Sequence, residues 1–263
     1  KKDTLGGINF DSVIIADFDE NLKSVATSLL YTDVSSKRIK YITFNQWFDN
    51  TLLKETSLQP MYFPSINKTN YENFKKKYKN ICLSIDTRKK DIMIKSIDYG
   101  ADIINDVSGF KFDDKSLSKL KKFKIPKVLH HMQGTPNTMQ KNPKYKNVLL
   151  DIYDFFESNI KNNFSDKKII IDPGIGFGKS LKHNLTLISK ISLFHTLGFP
   201  ILIGTSRKRF ISQISGKHDS IERVGGTLAS VLYLLSQGVQ IFRVHNVKEV
   251  KQGILVFKKI LFN

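Results

Sequence analysis

Asp86, Asn105 with Asp106, His131, Asp172, Lys208, and Arg243 with His245 each stand just after a short apolar run. Asp86, Asn105 and Asp172 are acceptors accompanied by one amide donor. Such a set suits a flat heterocycle that presents amino and ring N–H groups, because a buried polar group without a partner is costly. Lys208, Arg243 and His245 carry or can take positive charge. They suit a phosphate or pyrophosphate, which the Arg243 fork can grip through two parallel hydrogen bonds. Lys208, flanked by Arg207 and Arg209, also fits the plainer reading of three solvated charges. His130 and His131 are adjacent, so on a strand they face opposite ways and only one of them can meet a site.

A second feature invites a phosphate reading. IIIDPGIGFGKS (169–180) follows an apolar run and ends in Gly178-Lys179-Ser180. A P-loop needs a glycine five positions before the one that precedes its lysine. That place holds Pro173, which lacks the N–H on which a phosphate nest depends. The expectation is that the glycines let backbone approach a ligand and let Phe177 project at the mouth of the site. On this reading the Gly-Lys-Ser tail is incidental. No zinc-spaced His/Cys/Asp set and no G-x-S-x-G elbow occur.

Strands must deliver these residues. ICLSID (81–86), ADIIND (101–106), IPKVLHHM (125–132), KKIIID (167–172), FPILIG (199–204) and VQIFRVH (239–245) read as strands. Segments with helical spacing follow them at 90–100, 113–123, 148–164, 183–194, 224–238 and 247–261. SVIIADF (12–18) with 20–30, and RIKYITF (38–44) with 45–55, offer two more strand–helix units. Alternation of this kind implies parallel pairing, since each crossover carries its helix. Eight units predict an α/β fold, a (β/α)8 TIM barrel whose site lies at the C-terminal ends of the strands. A doubly wound sheet is the alternative.

The chain has 263 residues, 40% of them hydrophobic, enough for one sizeable core over 1–263. It opens on Lys1 rather than Met, as a processed or excised piece would. No run reaches membrane-spanning length and no signal peptide opens the chain, so no membrane partner is expected. The lone Cys82 excludes a disulfide framework and fits core packing in a reducing, cytoplasmic compartment. The formal charge of +18 raises the prospect of a polyanion partner. The lysines are scattered among abundant Asn and Ile, however, which does not favour nucleic acid.

SIDT, INDVSG, HMQGTPNTMQKNPKY, DPGIGFGK, GTSRKRF, GGTLA and RVH occur in this order at the strand ends. Together they resemble the dihydropteroate synthase family of pterin-binding TIM barrels over about residues 80–263. The resemblance implies a folate-pathway transferase and sulfonamide target. Such an enzyme condenses 6-hydroxymethyl-7,8-dihydropterin pyrophosphate with p-aminobenzoate to 7,8-dihydropteroate and pyrophosphate, with Mg²⁺, commonly as a homodimer. It places Asp86, Asn105, Asp172 and Lys208 on the pterin, Arg243 and His245 on pyrophosphate, and Phe177 with Lys208 beside p-aminobenzoate. Lys208, Arg243 and His245 become the expected catalytic groups.

The first 80 residues depart from the family. Loops like N-V-T-P-D-S-F-S-D-G-G and G-G-E-S-T-R-P-G have no clear counterpart. Asn9, Asp11 and Ser12 echo the first faintly, with Asn9 the one candidate near Mg²⁺. The last motif reads RVHN, with Asn246 where Asp is usual. A catalytically degenerate homologue that binds pterin or a partner is therefore the competing expectation.

Overall fold

The computed structural model describes residues 12–15, 40–43, 61–62, 82–164, 168–216 and 219–261. The helices expected at 20–30 and 45–55 lie outside them. The chain divides into two compact units, Lys1–Lys79 and Asn80–Asn263. In the first, β1 (Ser12–Ile15), β2 (Lys40–Thr43) and β3 (Met61–Tyr62) pair in parallel in that order, with Ser12 opposite Lys40 and Tyr41 opposite Met61. Both expected strands are present. The third is too short, between Pro60 and Pro64, to register as an apolar run.

The second unit alternates strands and helices. β4 (Ser84–Asp86) leads to α1 (Lys90–Asp98), β5 (Ile103–Asp106) to α2 (Ser116–Leu120), and β6 (Lys127–His130) to α3 (Val148–Asn163). β7 (Ile169–Asp172) leads to α4 (Leu181–Ser189) and a 3-10 turn over Ile191–Leu197. β8 (Leu202–Ile203) leads to α5 (Arg209–Ser215) and α6 (Val224–Ser236), and β9 (Ile241–Phe242) to α7 (Val247–Leu261). β4 to β7 form one parallel sheet and β8 pairs with β9. A parallel bridge between Ile171 and Ile201 links the two. The order and parallel sense match the sequence reading. The strands are shorter than expected, and α5 falls where a loop was expected.

Alternation along the strands sorts their side chains. Ile104, Leu129, Ile171 and Ile203 turn to the helices and join Met93, Leu120, Ile152, Phe156, Leu187 and Leu234 in the main core. Ile103, Val128, Ile170, Leu202 and Ile241 form a separate apolar layer on the opposite face. Two residues further along each chain, on that same face, come Asn105, His130, Asp172, Gly204 and Arg243. The functional row is thus the next layer above an apolar floor.

Helix starts are fixed locally. Asn147 caps α3 by accepting from the Leu149 and Leu150 amides at 3.1 and 3.3 Å. Ser180 caps α4 in a capping box: its hydroxyl accepts from the His183 N–H, and its own N–H donates to His183 Nδ1. The serine of the apparent P-loop is therefore a helix cap. Gly174, at φ 70°, passes so close to the β6 end that a Cβ there would collide with the His131 carbonyl oxygen. Gly174→Ala should cost about 3 kcal/mol through left-handed strain and that clash. Chemical denaturation checks it, and a loss below 1 kcal/mol, roughly the strain alone, would mean the two segments part easily.

Candidate active site

Strand register brings the acceptors together. Asp86 lies opposite Asn105, and His130 opposite Asp172. Asn105 Nδ2 donates to Asp86 Oδ2 at 2.8 Å. Asn105 is 3% exposed, and its Oδ1 has no partner among the described residues. Asp106, on the other face, accepts at Oδ1 from the Ser108 amide and hydroxyl at 2.8 and 2.6 Å. That bond shapes the β5–α2 turn. Burial raises the Asp106 and Asp86 carboxyls above their ordinary values, and Arg243 and Asn105 oppose the rise at Asp86.

Asp172 is the centre of the site. Its Oδ1 accepts from the Gly174 amide at 2.8 Å and its Oδ2 from Arg243 at 3.2 Å. His130 Nδ1 approaches Oδ2 at 3.1 Å, an ion-pair distance, without the angles of a good hydrogen bond. Burial alone would raise this carboxyl. His130, Arg243 and the Gly174 N–H outweigh burial and hold it at about 2, so Asp172 is ionised at any physiological pH. His131, the strand-end histidine of the sequence reading, faces the other way. His130 is the one beside Asp172.

The cations gather beside this row. Arg243 lies over Gly204, where any side chain would crowd its guanidinium. Lys208 Nζ sits 4.1 Å from the centroid of the Phe177 ring, and the edge of that ring meets His130 at 4.6 Å between centroids. Burial, with help from Arg243 and against Asp172, lowers Lys208 to about 8. His245 Nδ1 is 2.8 Å from Ser206 Oγ, which also accepts from the His245 amide at 3.1 Å. Arg207 forks onto Asn246 Oδ1 at 3.1 and 2.9 Å. These bonds stitch the loop bearing Lys208 to the loop bearing Arg243 and His245. The pairing of Arg207 with Asn246 escaped sequence reasoning because it spans 39 positions.

All seven described candidates, Asp86, Asn105, Asp172, Phe177, Lys208, Arg243 and His245, thus lie at the strand ends of one unit. Asn9 lies outside the described residues.

Lys179, in the Gly-Lys-Ser tail that the sequence reading set aside as incidental, is only 4% exposed. Nζ donates to the Phe177 carbonyl at 2.9 Å and lies 3.1 Å from His131 Nδ1. Burial lowers the ammonium from 10.5 to about 7; Asp172 opposes this and Lys208 adds to it. Burial and Lys179 keep His131 neutral, down to about 2, and His183 is lowered by burial and then by the same ammonium. In the unfolded chain Lys179 holds its proton up to about 10.5, while in the fold it releases it above about 7. The cost of burying the charge is therefore complete below 7 and gone above 10.5. The stability of the protein relative to Lys179→Met should rise across that window by at most about 1.4 kcal/mol per pH unit. Denaturant titrations at pH 6, 8 and 9.5 measure it, and a flat difference would place the lysine in water.

A parallel α/β fold with acceptors and cations converging at its strand ends is the arrangement in which such folds build a ligand site. The chain belongs to the pterin binding enzyme family, whose model matches residues 71–245. It is 36% identical to the dihydropteroate synthase of Escherichia coli over 185 residues, which cover 69% of this chain and 65% of the relative. It is 38% identical to that of Neisseria meningitidis serogroup B over 190 residues, covering 69% and 66%. The matched part thus spans just under two thirds of these relatives. The crystal structure of Yersinia pestis dihydropteroate synthase in a sulfonamide drug complex superposes with a TM-score of 0.71 at 25% identity, covering 95% of this chain and 92% of that one. The fold class is accordingly the α/β TIM-barrel class of that family, represented among the described residues by three parallel sheets. No helix among the described residues is long and apolar enough to cross a membrane.

Proposed function

We propose that this protein is a dihydropteroate synthase. The observation that carries the proposal is the inner-face row of Asp86, Asn105, Asp172 and Arg243, with an unpartnered buried acceptor at Asn105 Oδ1. Asp172 and Asn105 take the amino and ring N–H donors of the pterin, and Asp86 steadies Asn105. Arg243, His245 and Lys208 take the pyrophosphate. Phe177, with Lys208 on its face, walls the p-aminobenzoate side.

The reaction then needs no protein nucleophile. The p-aminobenzoate amine attacks the pterin methylene carbon. The C–N bond forms as the C–O bond to pyrophosphate breaks, the electron pair leaves with pyrophosphate, and the amine gives up a proton. Arg243 and Lys208 stabilise the charge that builds on the leaving oxygens. Arg243 donates to Asp172 Oδ2 at 3.2 Å, so on this reading the two exchange partners with the substrate: the pterin donors take Asp172 and the pyrophosphate takes Arg243.

Mg²⁺ stays an expectation of the resemblance. Among the described residues no three His, Cys, Asp or Glu side chains converge on a metal position. No step is therefore routed through it. A homodimer in the cytoplasm is part of the proposal. The homodimer draws its support from α7, which leaves Leu255, Val256, Ile260 and Leu261 exposed.

Pyrophosphate release from pterin pyrophosphate and p-aminobenzoate, with Mg²⁺ supplied, tests the proposal. Turnover supports it. Calorimetric pterin binding without turnover would favour the degenerate pterin binder, for which the altered loops of residues 1–80 speak.

A further inference from the structure

We infer that Lys179 is the positioning residue of the second-substrate wall, the buried latch that fixes Phe177. This rests on the synthase reading for what Phe177 touches, but the latch itself stands on geometry. A lysine near a surface ordinarily sends its ammonium to water. Lys179 turns inward, where a Met of similar length would fill the space without desolvating a charge. Its hydrogen bonds account for its presence.

Three successive carbonyls of the β7–α4 loop each accept from a side chain. Gly176 O accepts from Gln140 Nε2, Phe177 O from Lys179 Nζ, and Gly178 O from the Tyr145 hydroxyl at 2.8 Å. Gln140 and Tyr145 belong to the long β6–α3 loop. Lys179 adds the anchor to the end of β6 through His131, which is itself held edge-on by Phe155 at 4.9 Å between centroids. Gly178, at φ 63°, permits the apposition: a Cβ there would lie 2.8 Å from the Gln133 carbonyl oxygen. Gly174 does the same against His131. Gly174 and Gly178 thus serve approach between two protein segments, while Gly176 borders the Lys208 side chain. Three of the loop's own N–H groups are engaged as well, Gly174 on Asp172, Gly176 on Asn184 Oδ1 and Phe177 on the Gly174 carbonyl. Held on both sides in this way, the loop is a mount for one ring.

Phe177 stands between His130 and Lys208 because its backbone is held from behind. Remove the hold, and the ring keeps its neighbours but loses its fixed place. The pterin row, on strands β4, β5 and β7, stays as it was. The latch therefore separates the two substrates: it acts on p-aminobenzoate and leaves pterin pyrophosphate alone.

Lys179→Met and, as a milder second variant, Tyr145→Phe test this by steady-state kinetics and by hydrogen exchange of the ligand-free protein. For Lys179→Met the KM for p-aminobenzoate should rise about tenfold, the equivalent of one lost hydrogen bond, with the KM for pterin pyrophosphate within about twofold. Amides of residues 174–178 should exchange faster in both variants. Tyr145→Phe should shift the same KM in the same direction by a smaller factor. Equal losses for both substrates, or unchanged exchange at 174–178 in folded Lys179→Met, would overturn the inference. If the wild type releases no pyrophosphate with p-aminobenzoate, the synthase reading fails on its own, and the exchange data still decide the latch.

Discussion

Asp172→Asn is expected to weaken binding of pterin pyrophosphate by about 10² to 10³. Each hydrogen bond to a charged acceptor contributes about 1.5–3 kcal/mol, and the aspartate is positioned to accept two from the pterin. Asparagine keeps the shape and can keep the bond from the Gly174 amide. It replaces the other oxygen with an NH2 group, which would point a donor at Arg243, His130 and the incoming pterin. The pH dependence adds a second handle. With its folded value at about 2, below the ordinary 3.8, Asp172 contributes stability that is full above 3.8 and lost as the pH falls through about 2. As far as this residue decides it, pterin affinity should thus be level from neutrality down to about pH 4. Calorimetry with wild type and variant at pH 7.5 measures the main effect. An unchanged affinity would place the pterin elsewhere.

Why Asp172 could be singled out from sequence, and His130 could not, has one physical cause. Strands buried on both faces are apolar throughout, so the period of two that marks inside from outside is invisible in them. Val128-Leu129 and Ile169-Ile170-Ile171 give no phase. The end of such a strand is readable, because polarity starts there, and Asp86, Asn105 and Asp172 stand at those ends. Which of His130 and His131 turns inward required the register, with His130 opposite Asp172. Lys179 was passed over for a related reason. Its Gly-Lys-Ser setting pointed only to a near-miss P-loop, and the His131 ring and the Phe177 carbonyl, brought in by tertiary contact, explain its burial. The stitching of Ser206 to His245 and of Arg207 to Asn246 has no local signature at all. Neither does α5, whose first turn is hidden in the charged GTSRKRF motif. The parallel order was legible because a helix-length segment follows each strand-like run.

Arg243→Ala should lower kcat by about 10² to 10³, the usual loss when one preorganised donor to a developing anion is removed. Its more telling effect is a split between two ligands. Pterin pyrophosphate should lose about 100-fold in affinity, as a bidentate grip worth about 3 kcal/mol disappears. The same pterin without its pyrophosphate should bind within about threefold of the wild type, since removal of Arg243 also frees Asp172 Oδ2 from its resting partner. Arg243→Lys sharpens the distinction. A lysine supplies the charge, so it should recover part of the affinity for the anion, but it lacks the planar fork and should leave kcat at least about tenfold down. Parallel calorimetry with the two pterins and single-turnover rates measure these quantities. Equal losses for both pterins would mean that Arg243 serves the heterocycle and that the partner exchange between Asp172 and pyrophosphate does not occur. An unchanged kcat would move the leaving-group charge to Lys208 and His245, whose loops the Ser206–His245 and Arg207–Asn246 bonds hold in place.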